Sequence, residues 1–341
     1  MPRSNPNPRR ILVLRFSALG DILMTVPVLT ACALRHPDVE FEVVSRPFVG
    51  SVFSLLPSNV HFTGLNPRDY KGPCGLWRLF RTLKALKPTD VADLHDVLRT
   101  QFLRACFRLS GLPVRHIHKD RCARRSFLKA KVKEQQTTGF QRYAAVFEAL
   151  GLSCRLQDAP VPLLCAGVPK KDRPSVGIAP FAAHRGKIYP LEQMERVVEQ
   201  LTQRGIDVYV FGAGPEEKAV AGKWAQHYPH VHPVVGTLPS MKEELSLIAS
   251  LHAMLTMDSG NMHLAALTAT PVVSIWGATH PKGGFLGWRC TTHDIIEDST
   301  LACRPCSIYG NKPCRFGDYR CLAALSPERV CAALLKHLPL P

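Results

Sequence analysis

The 341-residue chain predicts an α/β protein built from two doubly wound, Rossmann-like domains. Short apolar runs that read as buried parallel strands alternate with helical stretches along most of its length. A strand, a glycine-containing turn and a helix follow one another near the amino terminus and again around residue 260. Between the two series lies a segment, residues 155–174, carrying Pro160, Pro162, Pro169 and Pro174. The length also exceeds what one hydrophobic core usually serves. The expected division is a first domain over 1–165, a second over 166–325 and a terminal helix within 326–341.

Residues 1–10 are rich in Pro and Arg and are expected to be disordered. Ile11–Phe16 is the first strand, apolar enough to be covered on both faces. It runs through Ser17–Asp21 into a helix over Ile22–Leu34, interrupted only by Pro27. Gly20 permits the turn. Asp21 is either an N-cap carboxylate or a functional one, since this is the end of a strand where open α/β sheets bind ligands. Glu40–Ser45 and Asp90–His95 read as strands, and Arg99–Leu109 reads as a helix. Val114–His118 leads into a basic stretch, and Phe140–Leu150 is a helix with Gly151 as its C-cap.

The second series starts with Ser175–Pro180 and a loop, Phe181–Tyr189, that holds His184, Arg185 and Lys187. Lys187 is an anion ligand or a solvated loop lysine on spacing alone. After the strand Asp207–Phe211, Gly212 and Gly214 form a G-x-G turn without the third glycine of a dinucleotide fingerprint, which argues against NAD. Helix Leu245–Leu251 leads to the strand Ala253–Thr256. Asp258, Ser259, Gly260 and Asn261 then break the strand and cap a helix over Met262–Thr268, with His263 on its first turn. Free N–H groups and the helix dipole suit a diphosphate there, and an ordinary βαβ crossover would use the same residues. Pro271–Trp276 is the next strand, and His280–Gly284 is a loop able to close over a ligand.

A hydrophobic content of 46% and a charged content of 21% describe a soluble globular chain. No apolar run reaches the roughly 18 residues that span a bilayer. Arg9, Arg10 and the tetrad Leu29–Cys32 imitate a lipoprotein signal, but Arg15 and Asp21 interrupt its core. A cytoplasmic protein is expected, so the twelve cysteines are thiols or metal ligands before they are disulfides. Cys303, Cys306, Cys314 and Cys321 are spaced C-x2-C-x7-C-x6-C. That leaves open a structural zinc, although the second pair lacks the usual knuckle, which favours reduced thiols packing a loop.

The net charge of +16 is uneven: residues 1–165 hold 25 basic against 12 acidic side chains, and residues 166–341 hold 18 against 15. Seven of the basic residues fall in Lys119–Lys133. Such a patch suits an anionic partner or is a solvated face. With Phe127 as its only ring it offers no stacking platform, and no nucleic-acid partner is expected.

Three stretches resemble the lipopolysaccharide heptosyltransferase family, glycosyltransferase family 9. They are R-F-S-A-L-G-D-I-L-M-T-V-P at 15–27, the K-x-[WY]-P pattern at 187–190, and D-S-G-N-M-H-L-A-A with T-P-V-V-S-I-W-G-A-T within 258–279. The resemblance implies the GT-B architecture, two Rossmann-like domains facing a central cleft with the terminal helix crossing back to the first. It implies inverting transfer of heptose from ADP-heptose to the lipopolysaccharide inner core, with Asp21 as general base. Donor contacts would come from Lys187, Asp258, Ser259, Gly260, Asn261, Met262 and His263, with His184, Arg185, Gly212 and Gly214 as further candidates. Ala182 and Ala183 stand where other members carry hydroxyl residues. No D-x-D triplet occurs, so no metal cofactor is expected and Lys187 would neutralise the diphosphate.

Charge placement adds an acceptor site at Arg124, Arg125 and Lys129, and a peripheral contact with the anionic inner face of the inner membrane. A sugar-nucleotide epimerase and a non-catalytic sugar-nucleotide or nucleic-acid-binding protein are the rival readings. Nothing in the sequence selects heptose over another sugar.

Overall fold

The computed structural model describes residues 8–161 and 163–339. The chain forms two compact units, residues 1–119 with 139–160 and residues 120–138 with 161–341.

In the first unit five parallel strands, β1 (Arg9–Leu14), β2 (Val39–Ser45), β3 (Val60–Gly64), β4 (Asp90–Asp93) and β5 (Val114–His116), are ordered β3-β2-β1-β4-β5. Leu12 lies opposite Glu42 on one side and Val91 on the other. Helices α1 (Leu19–Leu23), α2 (Thr25–Arg35), α3 (Gly50–Phe53), α4 (Gly72–Lys84) and α5 (Leu98–Leu109) connect or cover the strands. One core joins Leu12, Leu14, Val44 and Val91 to Leu79, Leu83, Leu103 and Phe107. Ile11 to Leu14 are fully buried, as a strand covered on both faces must be.

The helix expected over 22–34 breaks at Met24 rather than at Pro27. Proline lacks the N–H that would bond the carbonyl four residues back, so the discontinuity falls ahead of it and Pro27 sits in the first turn of α2. Arg9 and Arg10, expected to be disordered, open β1. Arg9 is fixed by a two-pronged pair with Asp90, at 2.8 and 3.0 Å. Residues 1–7 lie outside the described residues.

The basic stretch expected within the first domain groups with the second unit instead. Helix α6 (Arg121–Lys129) and the strand-free stretch after it pack in the second unit, and α7 (Gly139–Glu148) returns to the first. Phe127 supplies the anchor: it is buried, edge-on to His280 at 5.9 Å, and the Gln136 N–H donates to the Lys282 carbonyl at 2.9 Å. The charge asymmetry largely disappears on this division. The first unit has 19 basic and 10 acidic residues (+9), and the second has 24 and 17 (+7).

The second unit carries six parallel strands, β6 (Ser175–Ala179), β7 (Asp207–Val210), β8 (Val231–Pro233), β9 (Ala253–Met257), β10 (Val272–Trp276) and β11 (Ile295–Glu297). Their order is β11-β10-β9-β6-β7-β8. Around them lie α8 (Leu191–Thr202), α9 (Pro215–His227), α10 (Met241–Ser250), α11 (Gly260–Ala265), α12 (Arg320–Ala323) and α13 (Pro327–Leu335). The terminal helix α13, expected to cross back to the first domain, packs within the second unit. Val330, Cys331 and Leu334 are buried in the second unit's core with Val197, Val198 and Leu201 of α8. A nine-residue helix with one apolar stripe spends that stripe on its nearest core. Among the described residues no helix is long and apolar enough to cross a membrane.

Candidate functional site

Both sheets reverse their winding direction once, and ligands in such sheets bind where the reversal opens a crevice at the strands' carboxyl ends. In the first unit the reversal lies between β1 and β4, and in the second between β6 and β9. The connections leaving these four strands carry Asp21, in the first turn of α1, and His95, Lys187 and Asp258.

In the second unit the β6 loop brings Lys187 Nζ to 2.8 Å from Asp258 Oδ2 on the β9 loop. Asp258 is 4% exposed, and its Oδ2 also accepts from Thr279 Oγ1 at 2.7 Å. Lys187 is placed from both ends. Tyr189, fully buried, donates from its hydroxyl to the Leu325 carbonyl at 2.7 Å; burial raises its pKa. Gly186 fits where a Cβ would stand 2.8 Å from the Ala278 methyl, and the left-handed Gly310 leaves room for the lysine stem, 2.7 Å from where its own Cβ would be.

Thr279 is held by Arg304, 7% exposed, whose guanidinium donates to the carbonyls of Gly277 (2.5 Å), Trp276 (3.0 Å) and Thr279 (3.1 Å) and pairs with Glu297 at 3.0 Å. A relay from Arg304 through Thr279 and Asp258 therefore orients one ammonium group. Ser259, Gly260 and Asn261 follow directly and are partly exposed. Ser259 Oγ has no hydrogen-bond partner among the described residues, and Met262 and His263 are buried on α11. Of this stretch, Asp258 is the residue that meets Lys187 directly.

His184 and Arg185 are exposed, and the Arg185 guanidinium lies 5.4 Å from the Tyr319 ring centroid. Gly212 and Gly214 form the turn after β7, which is closed by a residue the sequence reading overlooked. Glu217 Oε2 accepts the Ala213 N–H at 2.5 Å, and burial pushes the Glu217 carboxyl above its usual range. A side chain at Gly212 would meet that oxygen at 2.6 Å.

In the first unit Asp21 is both a cap and part of a constellation. Its Oδ2 accepts the Ala18 N–H at 3.3 Å and pairs with Arg15 NH2 at 2.5 Å, while the Tyr143 hydroxyl donates to Oδ1 at 3.4 Å. Arg15 is buried, donates to the Leu94 carbonyl at 2.5 Å and lies 5.7 Å from the Tyr143 ring centroid. The carboxylate remains partly open to solvent, 31% by side chain. Arg15 is visible in the sequence only as a charge that interrupts an apolar run; Tyr143, 122 residues away from Asp21, has no local signal.

Of the basic cluster, Arg125 and Lys129 are exposed. The Arg124 guanidinium lies 5.3 Å from the Phe285 ring centroid, 5.6 Å from that of Tyr309, and donates to the Tyr309 hydroxyl. All three belong to the second unit.

The four clustered cysteines line one cavity of about 220 Å³ with Arg304, Lys312 and Tyr319. Among the described residues no three His, Cys, Asp or Glu side chains are arranged to hold a metal ion, so the zinc reading gains no geometric support. Burial pushes the Cys321 thiol up to about 11, as expected for a packed thiol.

Residues 77–309 match glycosyltransferase family 9 (heptosyltransferase). The chain is 24% identical to lipopolysaccharide heptosyltransferase 1 of Pseudomonas aeruginosa, over 97% of this chain and 99% of that one. Its fold resembles a family 9 glycosyltransferase from Veillonella parvula (TM-score 0.71, 19% identity, covering 97% and 99% of the two chains). It also resembles the Escherichia coli heptosyltransferase WaaC solved with ADP (TM-score 0.63, 19% identity, 84% and 92%).

Proposed function

The chain belongs to glycosyltransferase family 9, the heptosyltransferases, and from that membership we propose that it transfers heptose from ADP-heptose to a hydroxyl of the lipopolysaccharide inner core. The observation that carries the donor half of this reading is the Lys187–Asp258–Thr279 cluster at the second sheet's reversal point. An ammonium already oriented by a buried carboxylate needs little reorganisation to meet a diphosphate, and it stabilises the charge that gathers on departing ADP. Ser259 to Asn261, whose Ser259 hydroxyl has no hydrogen-bond partner among the described residues, supply further polar groups to the donor in this reading. Gly212 and Gly214, with His184 and Arg185, border the same unit's strand ends and contact the rest of the nucleotide.

Asp21 is the base in this reading. It takes the proton of the acceptor hydroxyl as the new bond forms, help typically worth ~10²–10⁴-fold in rate. Direct displacement on the anomeric carbon inverts its configuration. Arg15 fixes the carboxylate's orientation. Arg125 and Lys129, exposed cations on one helix, attract the phosphates and carboxylates of the acceptor and the anionic leaflet that presents it. Charge compensation at the diphosphate falls to Lys187, so activity persists in chelator.

The test is a donor panel read by product mass with a deep-core acceptor, in the presence and absence of EDTA. A heptosylated acceptor of inverted configuration, formed in EDTA, is expected. ADP release without acceptor modification, or transfer only of another sugar, refutes the reading.

A further inference from the structure

One polar pair at the first sheet's reversal point is not used by the chemistry above. His95 follows β4 and is 8% exposed. Its Nε2 lies 3.1 Å from Oγ of Ser17, on the loop leaving β1, and its ring is tilted against Phe16 at 6.1 Å. Its other nitrogen, Nδ1, is buried without a hydrogen-bond partner among the described residues. Burial, with Arg15 and Lys119 nearby, drives the imidazole pKa down to about 3, so the ring is neutral at any working pH and carries one hydrogen.

Where that hydrogen sits follows from the two environments. On Nδ1 it would be a buried donor with no acceptor, a costly and rare arrangement. On Nε2 it meets the Ser17 oxygen. Ser17 Oγ is then an acceptor toward His95, and its own hydrogen must point elsewhere. Ser17 is half-exposed and lies four residues before Asp21 on the same turn.

We propose that Ser17 and His95 form an acceptor-positioning pair: Nε2–H of His95 donates to Ser17 Oγ, and the serine hydroxyl donates to an oxygen of the acceptor sugar whose reacting hydroxyl Asp21 deprotonates. Ser17 touches substrate; His95 is a positioning residue acting through it. The sugar-binding role rests on the transferase reading above, whereas the tautomer does not. Without the pair, Asp21 still removes a proton but the acceptor is held less well.

Two measurements test this. Initial rates are taken against each substrate for Ser17→Ala, His95→Gln, which keeps a side-chain N–H, and His95→Phe, which keeps volume without a donor. Ser17→Ala and His95→Phe should raise the acceptor KM about 10-fold or more and leave the donor KM within about twofold, and His95→Gln should recover most of the loss. Equal damage by Gln and Phe, or a donor KM that moves with the acceptor KM, overturns the pair as a positioning device. Should His95→Phe fail to fold, Ser17→Ala decides alone.

Long-range ¹H–¹⁵N NMR on the wild-type protein then reads the tautomer without any turnover. A neutral Nε2–H imidazole from pH 5 to 8 is expected, and an Nδ1–H form or protonation in that range overturns the proposal. A wild-type protein that modifies no acceptor refutes the transferase reading, and the NMR result still decides the hydrogen bond.

Discussion

Lys187 Nζ and Asp258 Oδ2 stand 2.8 Å apart, although 71 residues separate them in the chain. Neither partner is set by its own loop alone. The parallel pairing of β6 with β9 brings the two loops together, and Arg304, through Thr279, fixes the carboxylate. A lysine that is ambiguous in sequence thereby acquires one orientation.

Removing either partner leaves a charge with little solvent. Lys187→Ala and Asp258→Ala should each destabilise the protein, and the double substitution should cost less than their sum by about 1–3 kcal/mol. Urea unfolding of the four proteins measures that coupling, and additive costs would show that the pair is only a surface contact. ADP binding by calorimetry should be lost with Lys187→Ala.

Arg304 satisfies three carbonyls and a carboxylate from a buried position. Lysine cannot reproduce that planar fork, so Arg304→Lys should cost about 2–4 kcal/mol. Chemical unfolding gives the value, and weakened ADP binding in whatever fraction stays folded shows that the damage reaches Lys187.

Asp21→Asn keeps the shape and removes the negative charge. Turnover should fall ~10²–10⁴-fold with the donor KM nearly unchanged, because base assistance is lost. Single-turnover ADP release measures the chemical step. A drop below tenfold would assign the carboxylate to capping α1 and holding Arg15.

Arg125 and Lys129 are solvent-exposed, so reversing both to glutamate should change stability by less than about 1 kcal/mol. Acceptor KM should rise several-fold at low salt, with the difference shrinking as ionic strength screens the charges. Donor KM should not move, and an unchanged acceptor KM would remove the patch from acceptor recognition.

Burial drives the carboxyl of Glu244 on α10 up to about 7. Between its ordinary value and pH 7 the unfolded chain has already lost this proton while the folded protein keeps it. Stability therefore falls as pH rises through that window and stays lower above it. Glu244→Gln removes the cost. Its melting temperature should exceed that of the wild type at pH 8, with the advantage fading toward pH 5.

Much of the site was legible because it is local. Ile11–Leu14 announces a doubly covered strand, and the Asp258–Asn261 break follows another. Other features were not read from the sequence. The short strand β3 went unread, as did the helix α4 although Leu76, Leu79, Phe80 and Leu83 recur at helical spacing, and α6 carries four cations in nine residues. Its place in the second unit depends on Phe127 finding His280, a contact between residues 153 positions apart.

By itself the sequence determined the fold class, the turns that carry Asp21 and Asp258, and the family. Apolar periodicity and glycine-bearing turns are short-range properties written in consecutive residues. Only the tertiary structure decided that Lys187 is held by Asp258, that Arg15 and Tyr143 hold Asp21, that the basic helix joins the second unit and that the last helix stays there. Apart from the Arg15–Asp21 pair, six positions apart in the chain, these outcomes turn on side chains tens of residues or more apart, or on which core a short apolar stripe can reach, and neither is encoded in any local pattern.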